Sequence, residues 1–160
     1  MCQSISLAVK LSNKGRYAVR ALFDIAFYND GQPTQVKDIA EREAIPARFL
    51  EQIFQDLKRA GLVASKRGPS GGYSLARPAT AIGLGDVVRA LEGPITLGDG
   101  EANVRGRSAP DARRVVQVAL DDLSGKVEAC FDAVSVADLC ARAEELGVRR
   151  PGSQRSVYVI

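Results

Sequence analysis

The clearest periodic pattern in the chain lies between residues 45 and 61. Apolar side chains recur there at steps of three and four residues, which predicts an amphipathic helix. Its buried face is predicted to carry Leu50, Ile53, Phe54 and Leu57. Gly61 is expected to end the helix, with Lys58 and Arg59 in the last turn, where cations interact favourably with the helix dipole. Pro46 suits the first helical position, where a backbone N–H group is not needed.

A short β-hairpin is predicted directly after this helix. Residues 62–66 form its first strand, residues 67–72 a turn rich in glycine, and residues 73–76 its second strand. A helix followed by a basic hairpin is the reading head of a winged helix-turn-helix domain. The rest of the chain is therefore expected to support this head.

The remaining pattern predicts a protein that is mostly α-helical, with a long dimerisation helix behind the winged helix-turn-helix domain. Ser12 or Asn13 can cap the first helix and Ser135 the last, because their side chains accept hydrogen bonds from free N–H groups. Thr34 is expected to start the second helix. The further helices are predicted at residues 13–28, 34–43, 85–91, 110–131 and 136–146.

The long helix has more apolar surface than a single neighbour would cover. Such a helix usually pairs with a copy of itself in a two-fold dimer, although it could instead pack entirely on its own domain. We expect Cys130 to lie on its buried face. The predicted dimer interface consists of Val115, Val116, Ala119, Leu123 and Val127.

The chain divides into five predicted segments. One of them is a long, glycine-rich loop between the fourth and the fifth predicted helix, and its length indicates either a function or disorder. The segments are an extension at residues 1–9, the DNA-binding domain at 10–93, an effector-type loop at 94–109, the dimerisation and terminal helices at 110–146, and a flexible basic tail at 147–160.

Composition narrows the possible functions. The chain has 160 residues, 46% of them hydrophobic, and we expect neither a membrane span nor a signal peptide and place the protein in the cytoplasm. Its three cysteines, Cys2, Cys130 and Cys140, are then expected to be thiols. Histidine is absent, which removes the commonest metal ligand and the commonest acid–base catalyst. We therefore expect no metal site. The sequence also shows no nucleophile–base pair and no phosphate-binding loop, so we do not expect the protein to be an enzyme.

Charge is distributed unevenly between the two halves of the chain. Residues 1–80 hold 12 Lys and Arg against 7 Asp and Glu, whereas residues 81–160 hold 10 against 12. A basic half joined to a mildly acidic half suits a nucleic-acid-binding head on a body with another task. Chance asymmetry is the alternative that charge alone leaves open.

Three stretches carry a family resemblance: LSNKGRYAVRALFDIA, FLEQIFQDLKRAGLVASKRGPSGGYSLAR and DVVRALEG. They closely resemble the IscR, NsrR and CymR family of bacterial winged-helix regulators, the Rrf family. The resemblance is dense over residues 10–93 and weaker beyond them. It implies a homodimeric transcription factor, usually a repressor, that binds an imperfect palindrome in double-stranded promoter DNA.

The resemblance also implies roles for individual residues. Glu51 can accept a hydrogen bond from cytosine, Gln52 can pair with adenine, and Arg67 can enter a narrow minor groove. The base-reading residues would be Arg48, Phe49, Glu51 and Gln52. The wing would be Arg67, Gly68, Pro69, Ser70, Gly71, Gly72 and Tyr73. Five cations are candidates for phosphate contact, although each of them could equally be an ordinary solvated surface residue. They are Lys14, Arg16, Lys58, Arg59 and Lys66.

One departure from the family concerns its cofactor. Many members hold an iron–sulfur cluster through three cysteines in the loop between the short and the long helix. Residues 92–109 contain no cysteine, and such clusters need thiolate or imidazole ligands. We therefore expect no cofactor.

The signal and the partner stay open. Cys130 and Cys140 could form a redox pair, Cys130 could meet its copy across a dimer, or both could be small apolar residues. A small molecule or a partner protein could act at the loop instead. A different class of function is a winged helix that docks a protein, against which the intact basic wing argues.

Overall fold

The computed structural model of the chain describes residues 11–97 and 112–150. Within them it contains six α-helices and one two-stranded antiparallel sheet, which confirms the predicted fold class. The predicted extension at 1–9, the loop beyond residue 97 and the tail beyond residue 150 lie outside the described residues. The elements are α1 (Asn13–Asn29), α2 (Val36–Glu43), α3 (Ala47–Arg59), β1 (Val63–Lys66), β2 (Gly72–Leu75), α4 (Leu84–Glu92), α5 (Ala112–Asp132) and α6 (Val136–Glu145).

Helix α1 is the centre of the fold. It contacts α2, α3, α4 and α6, and its side chains Leu22 and Ile25 are fully buried. Ser12, not Asn13, is its cap, because the Ser12 hydroxyl accepts a hydrogen bond from the N–H of Gly15 at 3.0 Å. The buried face of α3 packs against α1 with the four residues that the periodicity predicted. The reading head is therefore built on α1.

The predicted starts of α2, α3 and α4 are wrong by one or two residues, and α4 begins at Leu84 instead of Gly85. Thr34 does not start α2, because its N–H and carbonyl groups pair with those of Tyr73 at 2.8 and 2.9 Å. A residue whose backbone pairs with a strand is extended, so α2 begins only at Val36. Pro46 is the cap before α3 and not its first residue.

The wing hairpin is shifted slightly from its prediction. β1 starts one residue later and β2 starts and ends one residue earlier than expected, with Val63 paired to Leu75 and Lys66 to Gly72. The shift follows from the pairing of Gly72 with Lys66, which the glycine-rich turn sequence did not reveal.

Helix α5 packs against α4 and leaves most of the predicted interface stripe exposed. The buried side of α5 includes Ser124, whose hydroxyl accepts a hydrogen bond from the Leu97 N–H at 2.8 Å. Cys130, which was predicted on the same apolar face, is also exposed in the single chain, so its burial stays a prediction that depends on a second copy. Most of the apolar stripe therefore lies away from the buried side of α5, and Val127 lies at the border between them. No helix among the described residues is long and apolar enough to cross a membrane.

An ion pair that the sequence did not reveal, with a buried carboxylate and a partly exposed guanidinium, joins α1 to α2. Asp24 is 0% exposed, and both of its carboxylate oxygens accept hydrogen bonds from Arg42, at 2.6 and 2.8 Å. The hydrogen bond to Asp24 raises the pKa of the Arg42 guanidinium. Arg42 also lies over the ring of Tyr28, 5.2 Å from its centre. The pair therefore ties α2 to the buried side of α1.

Replacing Arg42 with Ala should lower the free energy of unfolding by about 3 kcal/mol, because it leaves the Asp24 carboxylate buried without a partner. Urea denaturation followed by circular dichroism measures the loss. Lys37→Ala, an exposed position on the same helix, is the matched control and should change stability by less than about 0.5 kcal/mol. Equal losses in the two variants would contradict a structural role for the ion pair.

Candidate nucleic-acid interface

The polar side of α3 faces solvent at the helix's N-terminal end. Arg48, Glu51 and Gln52 are exposed there, and Phe49 is 56% exposed. The opposite side is fixed in the core, so these four side chains are held on a rigid support. The structure thus brings all the predicted base-reading residues together on one exposed surface.

A groove of about 490 Å³ separates the start of α3 from the start of α1. Its lining is mostly apolar and includes polar side chains and one lysine. The residues that line it are Ser12, Asn13, Lys14, Tyr17, Pro46, Phe49, Gln52 and Ile53.

The base of the wing is held against α3 by Tyr73. Its ring stacks on that of Phe54 with centroids 4.3 Å apart and an angle of 9° between the planes. Its backbone pairs with Thr34. Tyr73 is half-buried, so its place is at the base of the wing and not at its tip.

Two positions of the wing require glycine because the backbone of another residue lies too close for a side chain. A Cβ atom on Gly72, whose φ is +136°, would overlap the carbonyl oxygen of Thr34. A Cβ atom on Gly71 would overlap the carbonyl oxygen of Lys66. The glycines therefore shape the hairpin itself, in addition to any approach to DNA.

The tip of the wing is exposed and tied to α2 by a residue that sequence reasoning missed. The side-chain amide of Gln35 donates a hydrogen bond to the carbonyl oxygen of Pro69 at 2.9 Å. Arg67, Gly68, Pro69 and Ser70 all face solvent. The contact spans 34 positions in sequence, so no local pattern could have found it.

The candidate phosphate contacts differ in how their cations are held. Lys14 forms an ion pair with Asp56 at 2.6 Å, and Arg59 forms one with the same carboxylate at 3.0 Å. The hydrogen bond from Lys14 holds the pKa of Asp56 below its ordinary value. Lys58 donates to the hydroxyl of Ser65 at 2.6 Å.

Three other cations on this surface have different surroundings. Arg16 is hydrogen-bonded to the side chain of Asn13. Lys66 and Arg67 are exposed and form no ion pair within the part of the chain that the structure describes. The wing therefore presents its positive charge to solvent without neutralisation by a neighbouring carboxylate.

A chain of ion pairs connects the base of the wing to α5. Arg77, just after β2, lies 3.7 Å from Asp86 of α4. Arg89 of α4 bridges Asp86 at 3.2 Å and Asp132 of α5 at 2.7 Å, and the hydrogen bond to Asp132 raises the pKa of the Arg89 guanidinium. This network joins the reading head to the long helix.

The two described cysteines occupy different environments. Cys130 is exposed on α5, whereas Cys140 is half-buried on α6 beside a cavity of about 630 Å³. Burial raises the pKa of the Cys140 thiol, so less of it is thiolate at neutral pH. Their redox role stays a prediction. Among the described residues, no group of three or more His, Cys, Asp or Glu side chains is placed to hold a metal ion.

Comparison with known proteins identifies the family. A family model described as Rrf2, iron-dependent transcriptional regulator, matches residues 11–142. The chain belongs to the Rrf2 family. The regulator named IscR of Vibrio atlanticus is 36% identical over 142 residues, which cover 88% of this chain and 80% of that protein. IscR of Yersinia pseudotuberculosis is 35% identical over 142 residues, covering 88% and 84%.

Solved structures of Rrf2-family regulators share the fold. T. potens IscR superimposes with a TM-score of 0.71 at 34% identity, covering 89% of this chain and 94% of that one. CymR, the global cysteine regulator of B. subtilis, has a TM-score of 0.68 at 32% identity, covering 84% and 98%. The predicted resemblance is confirmed. This Rrf2-family protein is a DNA-binding transcriptional regulator, and its relatives are regulators and not enzymes.

Replacing Gly72 with Ala should destabilise this Rrf2-family protein by at least about 2 kcal/mol, because the new Cβ overlaps a backbone carbonyl at a positive φ. Urea denaturation gives the global loss, and hydrogen exchange of the Tyr73 amide reports the wing itself. Gly125→Ala in α5, where a Cβ meets nothing within 4 Å, is the control and should stabilise by up to about 1 kcal/mol. A Gly72 variant as stable as the parent would refute the close-approach argument.

Proposed function

We propose that this Rrf2-family regulator is a homodimeric repressor that binds an imperfect palindrome in promoter DNA and works without an iron–sulfur cluster. The observation that carries the proposal is the pairing of an exposed polar face on α3 with a wing whose cations Lys66 and Arg67 are not neutralised. A repressor acts by occupying a promoter, for which this surface suffices without any further chemistry.

The base-reading part of the proposal rests on side-chain chemistry. Arg48 can donate two hydrogen bonds to a guanine, Glu51 can accept one from a cytosine amino group, and Gln52 can pair with adenine. All three are exposed on one rigid helix. Arg67 at the wing is free to enter a narrow minor groove, where the negative potential is enhanced.

The dimer part of the proposal rests on the exposed stripe of α5. Val115, Val116 and Leu123 are 67%, 59% and 46% exposed in the single chain. Ala119 is also exposed and Val127 is half-buried. A contiguous apolar surface of this kind is costly in water and marks an interaction site. A second copy covers the same stripe by two-fold symmetry and places two reading heads on two half-sites.

The cluster-free part of the proposal rests on the donor set. The family model is described as iron-dependent, and the iron–sulfur chemistry of such regulators needs thiolate or imidazole ligands. Residues 92–109 hold neither cysteine nor histidine, and the whole chain has no histidine. The described cysteines lie instead on α5 and α6. The residues present do not fit a cluster held by this loop.

Replacing Arg48 with Ala should weaken binding to the selected operator by about 1–3 kcal/mol and leave binding to random DNA nearly unchanged, because a base contact is lost. Fluorescence anisotropy on both duplexes measures the two affinities. Lys66→Ala is the control and should weaken both by the same factor, as expected for a phosphate contact. Equal losses on both duplexes for the Arg48 variant would reassign that residue to the phosphate backbone.

Replacing Leu123 with Asp should convert the dimer to monomers, since it puts a charge into an apolar interface. Sedimentation velocity at several protein concentrations measures the state. Leu146→Asp, at a more exposed leucine that directly follows α6, should leave the dimer intact. A dimeric Leu123 variant would contradict the assignment of the α5 stripe as the interface.

Anaerobic reconstitution with ferrous iron and sulfide should give a protein without the visible absorption of a cluster, because the loop offers no suitable ligands. Iron and acid-labile sulfide analysis of the repurified protein checks the result. Any bound iron should be unaffected by replacing Cys130 and Cys140 with Ser together. Stoichiometric iron and sulfide with a visible chromophore would overturn the cluster-free proposal.

A further inference from the structure

Phe49 is unlike the other large apolar residues of the reading head. Within described residues 11–97 it is the one large hydrophobic side chain that is exposed, at 56%. The other exposed examples lie on α5 and just after α6. The core of the head is complete without it, since Leu50, Ile53, Phe54 and Leu57 already fill the buried face of α3.

The position of Phe49 is that of a reading residue. It is the third residue of α3 and lies beside Arg48 in sequence and one turn before Gln52. Residues three apart on a helix are neighbours on its surface, so the ring borders the base-reading face. A base pair contacted by Gln52 or Arg48 therefore lies next to the ring.

The chemistry of the ring limits what it can contact. Phenylalanine has no hydrogen-bond donor or acceptor, so it can recognise neither a phosphate oxygen nor a polar base edge. The edges of the four bases offer one apolar group in the major groove, the C5-methyl group of thymine. Burying that methyl group against the ring removes apolar surface of both partners from water.

The surroundings of the ring suit a nucleotide. The groove beside Phe49 is lined mainly by apolar surface, to which Tyr17, Pro46 and Ile53 contribute. Lys14 also lines this groove, and its ammonium group is held by Asp56 at 2.6 Å. Apolar surface beside the ring, with a cation in the same groove, suits a base methyl group in contact with the ring and a phosphate near the lysine.

We infer that Phe49 is a specificity-determining residue that contacts the C5-methyl group of a thymine, so that the operator carries a thymine facing the N-terminal turn of α3. This inference rests on the proposed function, because it requires that α3 reads bases in the major groove.

The test uses the full-length protein and a duplex that the protein itself selects from a random pool. The duplex is made with thymine, with deoxyuridine at one position at a time, and with 5-bromodeoxyuridine, whose bromine replaces the methyl group with similar bulk. At one position, uracil should lower the affinity of the protein for the duplex about fourfold, because one buried methyl group is lost. Bromouracil at the same position should restore the affinity.

Variants of Phe49 assign the effect to the ring. Phe49→Ala should bind the thymine and uracil duplexes equally, whereas Phe49→Leu should keep part of the preference for thymine. Gln55→Ala changes an exposed residue on the third turn of α3, and this variant should keep the full preference for thymine. Because Phe49 is exposed, the Ala variant should unfold at the same urea concentration as the parent.

The outcomes separate this inference from the proposed function. Equal affinity of the parent protein for all the thymine and uracil duplexes, or an unchanged thymine preference in Phe49→Ala, would overturn the role of Phe49 while leaving a sequence-specific regulator. Failure to enrich any sequence from the pool would overturn both.

Discussion

The contact between Tyr73, Thr34 and Phe54 is the one on which the reading head depends. Tyr73 pairs its backbone with Thr34 and stacks its ring on Phe54, so one residue joins the wing to the start of the helix-turn-helix and to the core face of α3. A two-stranded hairpin of four-residue strands is marginal in water on its own, so it needs contacts of this kind with the rest of the head. The contact therefore fixes the position of the wing relative to the polar face of α3.

Polar links continue from this head toward the long helix. The ion pairs of Arg89 connect Asp86 to Asp132, and Glu92 at the end of α4 accepts hydrogen bonds from the backbone and hydroxyl of Ser12. Ser12 caps α1 beside the groove at the start of α3. Contacts among the described residues therefore link α5 and α4 to the cap of α1 beside the DNA-reading surface.

The sequence predicted the parts of this structure that follow from local periodicity. The amphipathic pattern of α3 and the cap at Ser135 gave those helices nearly correct bounds. The ion pair of Asp24 with Arg42 and the hydrogen bond from Gln35 join residues far apart in sequence, so no spacing rule reveals them. The apolar stripe of α5 was recognisable, but a pattern cannot tell whether the chain itself or a second copy covers it.

The central claim is that a cluster-free regulator selects its promoter by the α3 and wing surface. The direct measurement is an anisotropy titration of the iron-free protein with its own upstream DNA and with a scrambled duplex, at several salt concentrations. The account predicts tight, promoter-selective binding that weakens steeply with salt, because Lys and Arg contacts to phosphates release counterions. Equal, weak binding to both duplexes, or a shallow salt dependence, would contradict it and favour a winged helix that docks a protein.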